Sequence, residues 1–527
     1  HFGLGSWPEA RSQNSHKDHA MGEDDGEVDA LRYGSQSHLD MPRFRFSCAY
    51  CCVLYGENSE YVLMLLVLAR RLERLGTRYP LLVLPTKDVS AQACIALESA
   101  GCHVLPSVDY LDGHPSLFMQ ANGRHRNVLT KLRVLGLKGV KKLLLIDADI
   151  LPRRSLDPLF EVQPPAAMLM PPNLEWVTPP EPFSIVPENW LQVDPCSGRC
   201  ARINCGVCLL EPDLELLAEI EKEVDPNRHL RIEENGIVHD IFGKPWHPSW
   251  TPEEDVLTRA LAAKGKQLTH IGCAFNFEVI GDAEYYEGSP IALEHASLDF
   301  VRDVAAFHFV GMMKPSSYAS LVALGDLPLA DVMESVRRMF AAEDPREVTV
   351  TAFAEWYDAF DELVSHATDT WDLDIIDACG WRAPGEFSGL YSDSYTGSII
   401  KIVHVGSAVL CSSLHDEWKS EIAFARGRTI FMWRLVGTWS EGEISWSNGA
   451  TWSSQAVGAV GTLRRVTPHS SPPRQQSSKI VNDWTPPKET EAPAHKQRKY
   501  SKRPYKDLVD CLTSIIERQR IACAKVS

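Results

Sequence analysis

Between Phe46 and Ile146 the chain alternates short apolar runs with helical stretches, and this rhythm constrains the fold more than any other feature. FSCAYCCVLYG reads as a buried strand. The stretch YVLMLLVLARRLERLG after it reads as a helix, capped by Ser59, with Arg70, Arg71 and Arg74 at its negative end and Gly76 closing it. YPLLVLPT is a second strand. Ser90 caps the helix AQACIALESA, Gly101 ends it, and CHVLPSV is a third strand. NVLTKLRVLGLKG then reads as a helix and KKLLLI as a strand. Strands alternating with helices predict an α/β fold with parallel strands and right-handed crossovers. Ligands of such sheets bind at the carboxyl ends of the strands.

The same reading continues with less regularity. Residues 161–200 are Pro-rich and read as loop; INCGVCLLEPD reads as a strand and LELLAEIEKEV as a helix. TPEEDVLTRALAAKG has a helix start, with Thr251 as cap and Pro252 at the first position. VAAFHFVG reads as a late strand, and VTAFAEWYDAFDELV as an amphipathic helix that closes the domain. Four segments are expected: a disordered 1–42, an α/β domain over 43–365, a Ser/Gly/Trp-rich region over 366–484, and a basic tail over 485–527. In the third, Trp433, Trp439, Trp446 and Trp452 stand at near-even spacing. Short hairpins are one reading, with Trp faces packing or stacking on sugars; a segment without compact structure is the other.

The chemistry begins where KKLLLI ends. Asp147 and Asp149 follow it one residue apart, and in an extended chain both carboxylates face one side. Close carboxylates repel and rise in pKa unless a cation sits near them, and oxygen ligands suit Mg²⁺ or Mn²⁺. Far along, FHFVGMMKP places His308 at a strand end, with Gly311 and Lys314 following. A His ligand tilts the preference towards Mn²⁺.

Taken together, DAD after LLLI, NCGV at 204–207, PEED at 252–255, FNF at 275–277 and HFVGMMKP at 308–315 resemble, in order, the motifs of glycosyltransferase family 8, the glycogenin and galactinol synthase type. The resemblance covers residues 44–320. It implies a GT-A fold: a Rossmann-like mixed sheet with flanking helices. It also implies a retaining transfer of a hexosyl unit from a UDP-sugar to a hydroxyl acceptor, with Mn²⁺ or Mg²⁺. Asp147 and Asp149 match its metal-binding pair, with Ala148 between them, and His308 matches its third ligand. Lys314 matches the residue that holds the donor diphosphate, with Gly311 allowing close backbone approach. Val53, Leu54 and Tyr55 match the strand that holds uridine, and Tyr61 an aromatic beside it. Lys131 matches a Lys reaching the donor side. Asn204 and Gly206 match the strand entry lining the sugar pocket. Glu253 and Glu254 fall near the position of the anomeric carbon, so that Glu253, Glu254 and Lys131 are the candidate catalytic residues. Departures are Cys205 for Ser, Thr or Ala, Glu254 for Gln, and Ser316 for Trp. Tyr285 and Tyr286 lie roughly where glycogenin carries its self-glucosylated Tyr.

Two alternatives stand beside this. One is a catalytically impaired sugar-nucleotide-binding protein, given the Glu254 and Ser316 departures. The other is a haloacid-dehalogenase-like phosphatase, which also places D-x-D after an apolar strand and uses the first Asp as nucleophile. A net charge of −17 argues against bulk nucleic-acid binding. No run of 18 apolar residues predicts a transmembrane helix. Cys196, Cys200, Cys205 and Cys208 raise a zinc site, against which Cys205 and Cys208, three apart in a strand, are expected on opposite faces. Cysteines within apolar runs suit a cytoplasmic protein. The start at His1 leaves a secretory leader unobservable, so the secretory route stays open, as does a homodimer.

Overall fold

The computed structural model describes most of residues 46–454; outside it lie 1–45, 455–527 and internal stretches that include 118–126, 171–180, 187–201, most of 227–251, 280–297 and 311–313. The expectations for 1–42, 485–527, Cys196, Cys200, Thr251, Tyr285, Tyr286, Gly311 and Trp433 fall on residues outside the described ones.

The fold is mixed α/β. Its strands are β1 (Cys48–Leu54), β2 (Leu81–Pro85), β3 (His103–Val104), β4 (Lys142–Ile146), β5 (Ile150–Pro152), β6 (Ala166–Met170) and β7 (Arg202–Leu210). A small antiparallel sheet of β8 (Arg231–Ile232), β9 (Val238–His239) and β10 (Pro245–Trp246) follows, then β11 (Thr269–His270), β12 (Phe277–Glu278) and β13 (Ala306–His308). The main sheet has seven strands in the order β11-β6-β7-β4-β1-β2-β3. β1 runs parallel to both β2 and β4, as the alternation predicts, while β7 is antiparallel to β4 and β6. Both faces of β1 are buried: Tyr50, Cys52 and Leu54 enter one core, Ala49, Cys51 and Val53 the other. That is why its sequence is apolar without alternation.

Local differences from expectation have local causes. Helix α1 (Ser59–Arg74) is capped by Asn58, whose side chain accepts from the Glu60 N–H, not by Ser59; Asn is an equally good cap. Ser90 does cap α2 (Ala91–Ser99), and Gly76 and Gly101 both take positive φ at the helix ends. Residues Val128–Gly136 wind as a 3₁₀ helix rather than an α-helix. The stretch read as loop, 161–200, contains β6: its AAMLM is wholly buried and pairs with β7 and β11. Opposite Ala167 and Met168, β7 bulges, which turns Cys205 and Cys208 into the same core instead of opposite faces. Their thiols hydrogen-bond there, and that contact with burial pushes the Cys205 thiol well up.

Helices α3 (Leu214–Val224) and α4 (Pro252–Ala263) cover one face of the sheet. The other is covered by α1, by α5 (Ala319–Ala323), and by the long α7 (Val348–Thr370), which pairs with α6 (Leu329–Phe340). No helix among the described residues is long and apolar enough to cross a membrane.

The Ser/Gly/Trp-rich region folds. After the short helix α8 (Ile375–Ala378) come β14 (Gly389–Asp393), β15 (Ile399–Val405), β16 (Ala408–Ser413), β17 (Glu421–Arg426), β18 (Thr429–Met432), β19 (Leu435–Ser440), β20 (Glu443–Trp446) and β21 (Thr451–Ser454). Each pairs antiparallel with the next, and β21 returns to β14, closing a barrel that leaves no free edge. Trp446 and Trp452 meet edge to face inside it, 5% and 6% exposed, so neither presents a face for stacking on sugars. One outer face of the barrel, with Val405, Ala408, Ile422 and Phe424, joins the core formed by Tyr318, Leu321 and Trp381.

Candidate active site

The site lies where β1 and β4 end. β4 stops at Ile146, and the chain then turns so tightly that the Ile150 N–H donates to the Asp147 carbonyl. Asp147 and Asp149 therefore meet across a turn, and the alternation of an extended strand is not what brings them together. The Asp147 N–H donates to the Gly206 carbonyl, tying this turn to the bulged part of β7. β13 runs antiparallel to β5 and sets His308 opposite Ile150. The outcome is a cluster of Asp147, Asp149 and His308 whose ligand atoms all lie within 4.8 Å of one another, the one such group among the described residues.

Whether a divalent cation fits can be judged from the donors. His308 Nε2 stands 3.5 Å from Asp149 Oδ1. Two neighbouring ligands of an octahedral ion stand about 3 Å apart, so the two atoms can share one ion after a small adjustment. The second oxygen, Asp149 Oδ2, is engaged separately, 2.5 Å from Lys314 Nζ. Lys131 Nζ makes the matching pair with Asp147 Oδ2 at 2.7 Å and reaches Glu253 Oε1 at 3.6 Å. Five carboxyl groups, Asp147, Asp149, Glu253, Glu254 and Glu278, face three permanent cations, Lys131, Arg202 and Lys314. The mixed oxygen and imidazole donors of Asp147, Asp149 and His308 suit Mn²⁺.

The pKa shifts follow from this crowding. Burial pushes the Asp149 carboxyl up, but Lys314 and His308 more than offset it and hold it well below the ordinary range. Burial works against a charged His308, yet Asp149 leaves it raised overall. Lys131 is likewise raised in spite of burial, by Asp147 and Glu253. Glu253 and Glu278 are pushed up to about 7, chiefly by burial; Glu254 adds to both, while Lys131 opposes the first and His308 the second.

A polar network holds the next layer. Asn204 accepts from the Gly206 N–H and from Asn276 Nδ2, and donates to Glu278 Oε1 at 2.7 Å. Glu254 accepts from the Cys205 N–H at 3.2 Å and lies 3.5 Å from Arg202 Nε. Gly206 has no room for a side chain: a Cβ would fall 2.5 Å from His308 Cε1 and 2.6 Å from its Nδ1. That Nδ1 is buried and has no hydrogen-bond partner among the described residues. Of the other expected residues, Val53 and Leu54 are buried on opposite faces of β1, and Ala148 is buried between the two acids. Tyr55 follows β1; burial raises its hydroxyl, and Lys131, Tyr61, Asp147 and Glu253 all act on it. Tyr61 packs against the α1 core. Glu278, Asn276 and Arg202 belong to the site and were not expected there. The signal for Glu278 was its place directly after FNF, in register with His308.

No family model matches the chain. It is 29% identical over 269 residues to an uncharacterised mimivirus protein, R707 of Acanthamoeba polyphaga mimivirus, spanning 51% of this chain and 82% of the relative. It is 30% identical over 137 residues to galactinol synthase 7 of Arabidopsis thaliana, spanning 24% of this chain and 39% of that enzyme. Among solved structures it is similar to the bifunctional glycosyltransferase WbbM (14% identity, TM-score 0.34, 52% of this chain and 47% of that one). It is also similar to the galactosyltransferase LgtC bound to donor and acceptor sugar analogues (17%, 0.34, 59% and 95%). A third is mouse xyloside xylosyltransferase 1 (13%, 0.31, 50% and 97%). The solved chains named here are all glycosyltransferases; at these scores the architecture rests on the strand pairing described above, and no family assignment follows.

Proposed function

We propose that this protein is a glycosyltransferase that moves a hexosyl unit from a UDP-sugar to a hydroxyl acceptor, with retention of anomeric configuration and with a divalent metal. The observation that supports it is the convergence of Asp147, Asp149 and His308 with two lysines, each already paired to one acid. A divalent ion held by Asp147, Asp149 and His308 would supply Lewis-acid neutralisation of the leaving diphosphate. Lys314 and Lys131 place further positive charge beside it, so the main catalytic contribution is electrostatic and organised before substrate arrives. Tyr55 and Tyr61 flank the nucleoside side, beyond the end of β1.

Glu254 has one oxygen anchored by the Cys205 N–H and the other by Arg202, away from the proposed metal ligands; its role is to stabilise an oxocarbenium-like state. Glu253, whose Oε2 is buried without a hydrogen-bond partner among the described residues, holds Lys131 in place. Among the described residues no side chain of the site is an unambiguous nucleophile, which favours front-side attack by the acceptor hydroxyl. The donors to compare are UDP-glucose, UDP-galactose, UDP-glucuronate and UDP-N-acetylglucosamine.

The phosphatase alternative needs its second Asp to give and take a proton. Asp149, held below the ordinary range between Lys314 and His308, is a poor proton donor. The test is a panel of UDP-sugars with released UDP measured, with and without Mn²⁺, beside a generic phosphate ester. UDP release that requires Mn²⁺ supports transfer chemistry. Turnover of the ester alone would replace it with the phosphatase, and UDP-sugar binding without turnover would leave an impaired binding protein.

A further inference from the structure

The barrel touches the catalytic lobe at the segment that carries Lys314. The Lys314 N–H donates to Ser317 Oγ, and the Ser317 N–H donates back to the Lys314 carbonyl, so residues 314–317 form one small closed unit. From the catalytic side, Tyr357 on α7 donates to the Pro315 carbonyl at 2.9 Å. From the other side comes the two-residue hairpin between β15 and β16, Val405-Gly406-Ser407-Ala408. Ser407 Oγ reaches the Ser317 carbonyl at 3.5 Å, and Ser320 Oγ donates to the Val405 carbonyl at 2.8 Å, both ends of the latter buried.

The hairpin's shape is specific to this seat. Gly406 takes a φ of +61° at the first turn position, where glycine is favoured. A Cβ there would lie 3.1 Å from Trp381 Nε1 and 3.8 Å from Ser320 Oγ, so the tip sits directly against the helical segment that carries Ser320. Ala408 is fully buried in the same core as Tyr318 and Leu321. Two barrel contacts therefore fall on the segment that follows Lys314: Ser407 reaches the Ser317 carbonyl, and Ser317 in turn holds the Lys314 backbone, while Ser320, farther along the same segment, holds the Val405 carbonyl. The Lys314 Nζ itself donates to Asp149 Oδ2 and to the Phe309 carbonyl.

We propose that the hairpin tip Val405–Ala408 positions Lys314, with Ser320 and Ser407 as positioning residues. The barrel then sets how tightly the site grips a donor's diphosphate. The proposal rests on the donor reading given above. It assigns the Ser/Gly/Trp-rich region a part in binding.

The experiment measures the affinity of the full-length protein for UDP and for uridine in Mn²⁺ by calorimetry. The proteins are wild type, Ser320→Ala, Ser407→Ala, Lys314→Ala and the double variant Ser320→Ala/Lys314→Ala. Loss of the Ser320 bond should weaken UDP by up to about five-fold, the bound reached if the whole worth of one buried hydrogen bond is felt at Lys314, and Ser407→Ala less. Uridine, which lacks the diphosphate, should bind all of them within two-fold of wild type. The double variant should bind UDP no more weakly than Lys314→Ala alone. UDP affinity unchanged in both serine variants, or UDP and uridine weakened in parallel, or a double variant weaker than Lys314→Ala by the full five-fold, would each overturn it. A wild type that binds neither ligand would sink the donor reading itself, and this inference with it.

Discussion

Gly206→Ala is the sharpest single probe of the site. Gly206 lies where three parts meet: its carbonyl accepts from Asp147, its N–H donates to Asn204, and its α-carbon lies against the His308 ring. An alanine Cβ would fall 2.5 Å from His308 Cε1, 2.6 Å from Nδ1 and 3.0 Å from Asn204 Oδ1. Ordinary carbon contacts are about 3.5–4.0 Å, so the ring must retreat by roughly 1 Å. His308 is 6% exposed and its strand is paired on both sides, so the retreat has nowhere easy to go. Overpacking of this kind costs about 1–3 kcal/mol of stability. A displacement of about 1 Å in a ligand costs on the order of 100-fold in turnover. Thermal unfolding with and without Mn²⁺, together with UDP release, reads both. Wild-type stability, Mn²⁺ stabilisation and turnover in Gly206→Ala would refute the reasoning, since His308 would then not be held against this glycine.

Lys131→Met leaves Asp147 and Glu253 without their shared cation, and a loss of about 3–5 kcal/mol is expected by denaturant unfolding in chelator, shrinking when Mn²⁺ is added. Glu253 and Glu278, both near 7 in the folded protein, hold protons that the unfolded chain releases near pH 4.3. Folded-state stability should therefore fall as pH rises from about 4.5 to 7 and level off above, by at most roughly 4 kcal/mol per group. Glu278→Gln, which keeps the oxygen that Asn204 bonds, should flatten part of that slope in melting curves taken between pH 5 and 8. Ile400→Ala, at a fully buried barrel position, should cost about 2–5 kcal/mol and change tryptophan fluorescence, whereas a loosely folded segment would show neither.

The parts of the fold that could be read from the residues were those with strong local signals. β1, β2 and β4 are apolar on both faces and alternate with helical stretches, so alternation alone implied their parallel pairing. β6 was hidden because its five residues sit between proline-rich stretches, and only pairing with β7 and β11 makes AAMLM a strand. The barrel was hidden for a related reason. Its inward positions use Ala, Cys, His and Trp as well as Ile, and its strands are four to seven residues long, so no window gives a clear period of two. The Cys205 and Cys208 prediction failed because a bulge adds residues that a regular strand does not have. For the site, Asp147, Asp149, His308 and Lys314 are far apart in the chain but converge in space. Glu278 and Arg202 could be placed only once the register of β12 against β13 and the bulge in β7 were known.

The most direct measurement is UDP release from the best UDP-sugar by wild type and Asp149→Asn, each with Mn²⁺ and with chelator. Asn keeps the size of the side chain but removes the charge that Lys314 and His308 meet. The expected result is Mn²⁺-dependent release in wild type and a loss of at least about 100-fold in the variant. Equal turnover with equal Mn²⁺ dependence in the two proteins would contradict the assignment of Asp149 to the metal site.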